Sequence, residues 1–489
     1  MVGSVGRIVA TSLDAATACD APIKRLSFET LSQMFLECLP VAGLPSVSTA
    51  DAPVLLGRVC SHWRTVALST PQLWAGLGLG NRTPSDYTKD AIAAAEWKRR
   101  AGLCDLSYSL WLTPDRVVNV ILRHRSQWRH IEAHIEPDGW KRVYLAISQG
   151  APRLLYLRVE IESPLQRFVG GYVHPLPIDI DIPIHGAMRL EHLHVKKNCR
   201  LHFAQVEAPF LRELIFETAT LTFDECWSCL TYCPNLEYFR ARCSTAHPLS
   251  LGSETMEAKN LKHLQLDVFH VDQTELGPFL ELICTPSLES LKIYFFMSDD
   301  DDGIGFPQVP RFLEQSGAHL VDMHISGPMT QDQTIECLHH TPALTSLELR
   351  SRLLNDAVMK ALTIGPGQAI SHNSMCAELQ KIILAQVGSC ASLMSSDVVK
   401  DMILSRWGGE HGQMMLSNGV LDNIRKGKLR TIVLDGFEFR DGLAIAKEQS
   451  IAKCIEEGLF IVEYAPMRFD GESSSYESDE SQSGSSQSE

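Results

Sequence analysis

A short hydrophobic pattern recurs ten times between residues 154 and 434 of the chain. Each copy has an apolar residue, two other residues, a second apolar residue, one other residue and a third apolar residue. The copies are Leu154/Leu157/Val159, Leu190/Leu193/Val195, Leu211/Leu214/Phe216, Leu236/Phe239/Ala241, Leu261/Leu264/Leu266, Leu288/Leu291/Ile293, Leu320/Met323/Ile325, Leu344/Leu347/Leu349, Leu379/Ile382/Leu384 and Leu429/Ile432/Leu434. Apolar residues that alternate with other residues are typical of a strand with one buried face. The pattern therefore predicts ten strands, and a weaker copy at Trp128 and Ile131 indicates one more.

Proline lies two positions before the first apolar residue in five of the ten copies, although only 24 of the 489 residues are proline. These prolines are Pro152, Pro209, Pro234, Pro286 and Pro342. Proline stops a preceding helix and restricts its neighbour to extended geometry. Each copy is therefore expected to give one strand and a returning helix or loop. Stacked copies would then build the core that a single copy cannot.

The ten units resemble leucine-rich repeats, in which each unit contributes a strand and a returning segment. Successive copies start 21 to 36 residues apart, except for a last gap of 50 residues. The asparagine that usually follows the last leucine of a repeat is absent. The resemblance implies an irregular leucine-rich-repeat solenoid of the α/β class over residues 128–465.

Helical spacing replaces strand spacing near the N-terminus. Leu31, Phe35 and Cys38 fall at i, i+4 and i+7, which places them on one face of a helix. Ser27 can cap the start of this helix, and Pro40 would close it.

A second helix is predicted after a short loop, because Leu56, Val59 and Trp63 share a helical face. Thr70-Pro71 then offers a capping hydroxyl followed by proline at the first helical position, which predicts a third short helix. Three short helices in about fifty residues make a thin core, so such a unit usually packs against a partner.

These helices resemble the F-box of fungal F-box proteins in residue identity, order and spacing. The matching residues are Leu26-x-x-Glu29-x-Leu31, Phe35-Leu36, Ala52-Pro53, Val59-Cys60-x-x-Trp63 and Leu73-Trp74. The family usually opens with Leu-Pro, whereas Leu26 is followed here by Ser27. The resemblance implies that the module docks on the Skp adaptor of a cullin-RING ubiquitin ligase. The residues assigned to this docking are Leu26, Phe28, Leu31, Phe35, Leu36, Leu39, Leu55, Val59, Cys60, Trp63, Leu73 and Trp74.

The chain is therefore expected to have five segments. They are a flexible N-terminus at residues 1–23, the F-box at 24–80, a connector helix and first strand at 81–127, the solenoid at 128–465, and a disordered tail at 466–489. The last nineteen residues hold nine serines, five acidic residues and no basic residue, so they cannot bury apolar area.

The region between the F-box and the repeats contains three predicted features. Glycine, proline and polar residues from Gly76 to Thr88 are typical of a connector. An alanine-rich run predicts a helix over residues 92–100, and the alternation of Leu106, Tyr108 and Leu110 predicts a strand.

Charge and cysteine usage exclude several function classes. The net charge of −15 and the pI near 5.6 argue against nucleic acid or an anionic membrane as the partner. The sequence has no run of about 18 consecutive apolar residues, the length that predicts a transmembrane helix. Fourteen scattered cysteines are unlike a secreted disulfide scaffold. A reduced cytoplasmic or nuclear protein is expected.

Two clusters invite a metal interpretation. Cys226, Cys229 and Cys233, with Cys243 or His247 as a fourth ligand, could bind zinc, but their i, i+3 and i+7 spacing favours one apolar helical face and core packing. A metalloprotease helix needs glutamate directly after its first histidine, whereas residues 130–134 are His-Ile-Glu-Ala-His and would share a polar face in a strand.

The acidic run from Asp299 to Asp302, followed by Gly303, resembles a calcium loop, but Val309 occupies the position that requires glutamate. No phosphate loop, nucleophile elbow or catalytic triad is present in the sequence. The sequence thus predicts a protein that is not an enzyme and needs no metal or cofactor.

The strand residues between the apolar positions are expected to line an exposed concave face. They are Tyr156, Arg158, His192, His194, Tyr238, Arg240, Arg242, His263, Gln265, Lys292, Tyr294, His324, Glu348 and Arg350. Tyrosine and arginine are favoured at binding hot spots, so this face is the predicted site for a target protein.

Three functions remain open at this point. The first is a ubiquitin-ligase adaptor whose F-box docks on the Skp adaptor and whose repeats hold a protein target. The second is a non-degradative F-box and leucine-rich-repeat scaffold. The third is a metal- or thiol-dependent enzyme, which would require a functional Cys226 cluster.

Overall fold

The structure is a computed structural model of the chain. It describes residues 26–80, 87–162, 166–169, 172–175, 182–196, 206–244, 255–269, 273–296, 305–364, 375–386, 394–407, 429–437, 439 and 444–464. The predictions for residues 1–23, His247, Asp299–Asp302 and residues 466–489 lie outside these described residues.

The described helices alternate with strands along most of the chain. The α-helices are α1 Phe28–Glu37, α2 Leu56–Val59, α3 Ser61–Leu68, α4 Tyr87–Ala101, α5 Asp115–Leu122, α6 Pro137–Ser148, α7 Phe223–Tyr232, α8 Gln273–Glu281, α9 Gln308–Ser316, α10 Gln331–His339, α11 Asp356–Leu362, α12 Ser396–Arg406 and α13 Gln449–Glu456. Short 3₁₀ helices cover Pro71–Trp74, Arg125–Gln127, Ile184–Gly186 and Ile445–Lys447.

The strands are short and most have five to seven residues. They are β1 Gly76–Gly80, β2 Leu106–Trp111, β3 Trp128–Ile135, β4 Tyr156–Ile161, β5 Gln166–Val169, β6 Tyr172–Pro175, β7 His192–Lys196, β8 Glu213–Leu221, β9 Tyr238–Ser244, β10 Met256–Glu257, β11 His263–Phe269, β12 Ile283–Cys284, β13 Ser290–Phe296, β14 Asp322–Ser326, β15 Ser346–Arg350, β16 Lys381–Ala385, β17 Thr431–Asp435 and β18 Phe460–Tyr464.

The chain divides into two compact units, residues 1–288 and 289–489. In the first unit, β1, β2, β3, β4, β7, β8, β9 and β11 form a parallel run in that order. An antiparallel pair, β5 and β6, and a short parallel pair, β10 and β12, lie outside this run.

The second unit contains a parallel run of β13, β14, β15, β16, β17 and β18, again in chain order. Parallel neighbours require a crossover, and the intervening helices supply it. The fold is therefore mixed α/β and compatible with an α/β solenoid.

All ten copies of the hydrophobic pattern form strands, as predicted. They are β4, β7, β8, β9, β11 and β13 to β17, and none of their thirty apolar pattern residues is more than 3% exposed. Pairing keeps equivalent positions together: Leu157 faces Leu193, which in turn faces Leu214. The repeated spacing thus becomes continuous apolar rows in the core.

A tight turn precedes most copies and explains the recurrent proline. The backbone N–H of Leu154 donates to Ala151 O at 3.1 Å, and Leu236 N donates to Cys233 O at the same distance. Pro152 and Pro234 therefore hold the second position of a β-turn, where their fixed φ is favourable.

Helices cover the apolar side of the strands. The indole Nε1 of Trp128 in β3 donates to the carbonyl oxygen of Ile121 in α5 at 3.2 Å. On α7, Cys226 Sγ lies 3.6 Å from Cys243 Sγ of β9. The weak copy at Trp128 and Ile131 is also a strand with both side chains buried.

The connector predicted from Gly76 to Thr88 is wrong in its first part, because Gly76–Gly80 forms β1 and pairs with β2. Leu77 and Leu79 are buried, so alternation with glycine was a strand signal that the glycine content concealed. The predicted helix at residues 92–100 and the strand at Leu106 are confirmed as α4 and β2.

Candidate interaction surfaces

The N-terminal helices form a small packed segment over residues 26–74. Leu31 and Phe35 of α1 are buried, and the Phe35 ring packs on Trp63 with centroids 4.9 Å apart. The indole of Trp74 donates from Nε1 to the carbonyl oxygen of Ala67 at 2.8 Å. These contacts tie α1, α3 and the following 3₁₀ turn together.

Ser27 caps α1 as predicted, because Thr30 N donates to Ser27 Oγ at 3.2 Å. The helix ends at Glu37, before Pro40, and Cys38 is its C-terminal cap. Cys38 keeps helical backbone angles but is exposed, so burial along this face ends at Phe35.

The second predicted helix is broken at Cys60. The backbone of Cys60 is extended, and Cys60 Sγ accepts a hydrogen bond from Trp63 N at 3.4 Å. The break turns α3 away from α2, so Leu56, Val59 and Trp63 do not form one face. Leu56 is buried, whereas Val59 is 56% exposed.

Thr70 does not cap the third helix, contrary to the sequence prediction. Its hydroxyl donates instead to Val66 O at 2.8 Å and lies 2.9 Å from Ser32 Oγ. The segment that follows is the 3₁₀ turn Pro71–Trp74 with proline in its first turn. The Thr70 hydroxyl therefore contacts Ser32 of α1 and makes no capping hydrogen bond to the 3₁₀ turn.

Large apolar side chains are exposed at high density on this segment. Among the described residues, six of the seventeen exposed large hydrophobic residues lie between residues 28 and 68. We call these six the helical apolar surface: Phe28, Met34, Val41, Leu55, Val59 and Leu68. Exposed apolar side chains are thus more frequent here than in the rest of the described chain.

The structure separates the residues assigned to adaptor docking into core and surface groups. Leu31, Phe35, Leu73 and Trp74 are buried; Leu26, Leu36, Leu39 and Trp63 are half-buried; Phe28, Leu55, Val59 and Cys60 are exposed. The buried four can shape a docking surface only by holding the helices in place. Direct contact is open to the other eight.

The polar side chains of the first unit lie in rows across the strands. One row pairs His130 with Tyr156 and Tyr156 with His192. The rings of His130 and Tyr156 stack with centroids 4.1 Å apart, and Tyr156 Oη lies 3.1 Å from His194 Nδ1. Glu213 contacts both histidines of β7, His192 at 3.0 Å and His194 at 2.6 Å.

The arginines of this first polar face are paired rather than free. Arg158 contacts Glu217 at 3.0 Å, and Arg240 contacts Asp267 at 3.4 Å. The Arg242 guanidinium lies 4.2 Å above the Phe269 ring.

The remaining predicted residues of this face, Tyr238, His263 and Gln265, are half-buried. The Tyr238 and His263 rings lie 5.6 Å apart, and Gln265 donates to Asp267 Oδ1 at 3.0 Å. The sequence did not reveal Glu217 and Asp267 as partners of these arginines, because each follows the last apolar residue of its copy and lies outside the repeated pattern.

The second unit has its own polar face, on which five predicted residues are half-buried or buried. Tyr294 Oη lies 3.1 Å from His324 Nδ1, and this nitrogen also lies 3.0 Å from Glu348 Oε2. Arg350 Nε donates to Glu348 Oε1 at 2.7 Å. Burial raises the pKa of Glu348, but the hydrogen bonds from His324 and Arg350 outweigh it and lower the pKa to about 2. Lys292 lies 3.6 Å from an acidic neighbour on β14.

The cysteines of α7 lie in the core. Cys226, Cys229 and Cys233 are at most 2% exposed, and burial raises the pKa of each thiol, to about 12 for Cys233. Buried cysteines behave as small apolar side chains, whereas reactive cysteines are usually partly exposed. Apolar packing accounts for their helical spacing.

His130, Glu132 and His134 share the polar face of β3, as the strand interpretation predicts. Glu132 bonds to His130 at 3.1 Å. His134 contacts two carboxylates, Glu160 in β4 at 3.2 Å and Glu162 directly after β4 at 2.7 Å. The sequence did not reveal this second cluster, since His134 lies 26 and 28 residues before the two glutamates.

Comparison of the chain with protein-family models and with curated proteins gave no match. No helix within the described part of the chain is long and apolar enough to cross a membrane.

Proposed function

We propose that the chain is the substrate-recognition adaptor of a Skp-cullin-F-box type ubiquitin ligase. The N-terminal helices would be an F-box that docks on the Skp adaptor, and the strand repeats would be irregular leucine-rich repeats that bind a protein target. Other subunits of the cullin-RING ligase would transfer ubiquitin, in the cytoplasm or the nucleus. The adaptor contributes proximity, which raises the effective concentration of the target.

The observation that carries the proposal is the helical apolar surface on a segment with the F-box residue pattern. Phe28, Leu55 and Val59 are each at least 40% exposed although they belong to the matched stretch. A segment that keeps these side chains outside its own core is suited to bury them against a partner. The buried side chains of Leu31 and Phe35 hold the short helices together, so the exposed apolar residues keep fixed positions although the core of the segment is small.

The polar faces support the second half of the proposal. Tyrosine, histidine and arginine side chains on them are half-buried and are positioned by neighbours such as Glu213 and Glu348. Fixed polar side chains lose little entropy when a partner binds. Ion pairs that remain partly exposed add only about 0–1 kcal/mol of stability each. Target recognition is therefore a better account of these rows than fold stability.

Co-expression with the Skp adaptor tests the docking half. We expect wild-type protein to co-purify with the adaptor and the double variant Leu55→Glu/Val59→Glu to lose it, since two charges would enter an apolar interface. Ile92→Glu is the matched control, because Ile92 is 66% exposed on α4, outside the helical apolar surface. Adaptor binding that survives in the double variant would contradict the assigned interface.

The same double variant separates degradation from scaffolding. Proteins captured by the chain while the proteasome is inhibited are the candidate targets. If the chain is a ligase adaptor, a captured target should accumulate in cells that express the double variant. Unchanged target lifetime, with target binding intact, would favour the non-degradative scaffold.

A further inference from the structure

One register row of the first polar face brings together a histidine and two glutamates. His134 of β3 is the direct strand partner of Glu160 in β4. Glu162 follows two residues later and therefore points to the same side. One potential ligand atom from each of the three residues lies within 4.8 Å of the others.

The histidine of this cluster is buried and incompletely satisfied. His134 is 8% exposed and Glu160 is 7% exposed. The Nε2 atom of His134 bonds to Glu162 Oε1 at 2.7 Å. The Nδ1 atom is fully buried and makes no hydrogen bond, although Glu160 Oε2 lies 3.2 Å away.

Two carboxylates around one imidazole create a mismatch of donors and acceptors. A neutral imidazole has one N–H and one lone pair. Both ring nitrogens of His134 face a carboxylate oxygen, so either tautomer leaves one lone pair directed at an acceptor. A metal ion bound between a ring nitrogen and a carboxylate would remove this repulsion.

The flanking residues of the row define the surroundings of the cluster. The Trp111 ring packs on the His134 imidazole with centroids 4.2 Å apart, which shields one side of it from water. On the other side, Lys196 Nζ lies 3.2 Å from Glu160 Oε2. The lysine is a competing cation, and a metal ion would have to displace its ammonium group from Glu160.

We infer that His134, Glu160 and Glu162 bind a divalent transition-metal ion of the Zn²⁺ class, with water completing the coordination. One imidazole nitrogen and two carboxylates form a mixed N/O donor set that suits Zn²⁺. Mg²⁺ and Ca²⁺ prefer sites made of oxygen alone. Tetrahedral zinc with bonds of about 2.0–2.1 Å separates its donor atoms by roughly 3.3 Å, close to the 3.2 Å between His134 Nδ1 and Glu160 Oε2. Glu162 contacts the other ring nitrogen, so its carboxylate would turn toward the ion when the ion binds.

The bound ion would link the carboxyl ends of β3 and β4. Ligand binding to the folded state alone raises the stability of the protein with the ligand concentration.

Zinc titration of the full chain against a fluorescent chelator, at pH 7.5 in a non-chelating reductant, tests the inference. We expect one equivalent to bind, with affinity reduced more than about tenfold in His134→Gln and in Glu160→Gln. Glu213→Gln is the matched control, since it alters the other histidine–glutamate cluster, around His192 and His194, and should leave binding unchanged. Tenfold excesses of Mg²⁺ or Ca²⁺ should not compete.

Lys196→Met provides a test in the opposite direction. Removal of the competing ammonium group should tighten zinc binding several-fold, whereas the loss of a purely structural ion pair would not. Near-UV circular dichroism of each apo variant checks that the fold is retained. Zinc binding that persists in both His134→Gln and Glu160→Gln, or that does not occur in wild type, overturns the inference.

Cobalt substitution identifies the donor atoms. The N/O site should give visible d–d absorption without the near-ultraviolet charge-transfer band of a cobalt thiolate. A thiolate band would assign the metal to the exposed cysteines, such as Cys38 and Cys60, and would also overturn the inference.

Discussion

Ser27 and Cys60 each begin a helix by accepting a hydrogen bond from the backbone N–H three residues ahead. Serine is a strong N-cap, so its role followed from its position before an apolar helical pattern. Cysteine is not among the favoured caps, and the helical spacing of Val59 and Trp63 runs through it. At this scale, one side-chain contact decides whether a pattern gives one helix or two.

Glu348→Gln should lower the stability of the second unit in a pH-dependent way. Burial raises the pKa of Glu348, whereas His324 and Arg350 lower it to about 2, well below the value of about 4.3 in an unfolded chain. The folded pKa is therefore depressed. The ionised carboxylate stabilises the fold above about pH 4.3, and this stabilisation is lost as the pH falls toward about 2.

Urea unfolding of both proteins between pH 7 and pH 2.5 measures this effect. We expect a deficit of about 1 kcal/mol for the variant at pH 7, at the upper end for a partly exposed ion pair, and this deficit should shrink steadily below about pH 4.5. Glu336→Gln, on the exposed side of α10, is the control and should cost less than about 0.5 kcal/mol. If the difference in unfolding free energy between wild type and variant is the same at every pH, the charge of Glu348 does not contribute to stability.

The repeating element of the protein is a turn followed by a strand. Its turn is closed by a backbone hydrogen bond such as Leu211 N to Ala208 O at 3.1 Å. Successive turns are also linked, because Asn235 Nδ2 donates to Pro209 O at 2.7 Å and Asn260 Nδ2 donates to Pro234 O at 3.2 Å. These asparagines lie just before the first leucine of their copies, so the turns stack along the first unit as the strands do.

Asn235→Ala should destabilise the first unit by about 1 kcal/mol, because it removes the bond to Pro209 and a 3.1 Å contact with Asn260. Thermal unfolding followed by circular dichroism measures the change. Ser287→Ala is the matched control: Ser287 holds the same turn position before Leu288 and is exposed. Equal effects from the two substitutions would contradict a stacking role for the asparagine.

Each unit of the whole molecule is built on a run of parallel strands that pair in chain order. In the second unit, the interior strands have two hydrogen-bonded neighbours, whereas β18 pairs with β17 alone among the described strands. In the second unit, β17 alternates buried and half-buried residues, whereas β18 has none that is buried. Local stability is therefore expected to fall toward the end of this run.

Hydrogen–deuterium exchange can test this gradient at peptide resolution. We expect amides of β18 to exchange at least about tenfold faster than those of β17, which has the same length and lies next to it in the sheet. Peptides from β14 and β15 should be protected at least as well as β17. Equal protection of β17 and β18 would show that side-chain burial does not determine the free energy of local opening in these strands.

The candidate surfaces were only partly foreseeable, and for different reasons. The polar rows followed from the repeat, since strand alternation fixes which side chains face away from the core. Their ion pairs did not follow, because partners such as Arg158 and Glu217 lie on strands that are not adjacent. The exposure of Leu55 and Val59 also required the structure, since helical spacing alone placed Val59 on a buried face.

The sequence by itself determined the ten repeat strands and which of their residues are buried. Those features depend on local alternation and on proline at a fixed offset, which act within about ten residues of chain. The tertiary structure decided the break at Cys60, the hydroxyl partner of Thr70 and the meeting of His134 with Glu160 and Glu162. The contact of Thr70 with Ser32 and the meeting at His134 depend on residues that are distant in the sequence, which helix packing and strand register bring together. The break at Cys60 rests on a hydrogen bond from Trp63, three residues away, which the helical spacing does not reveal.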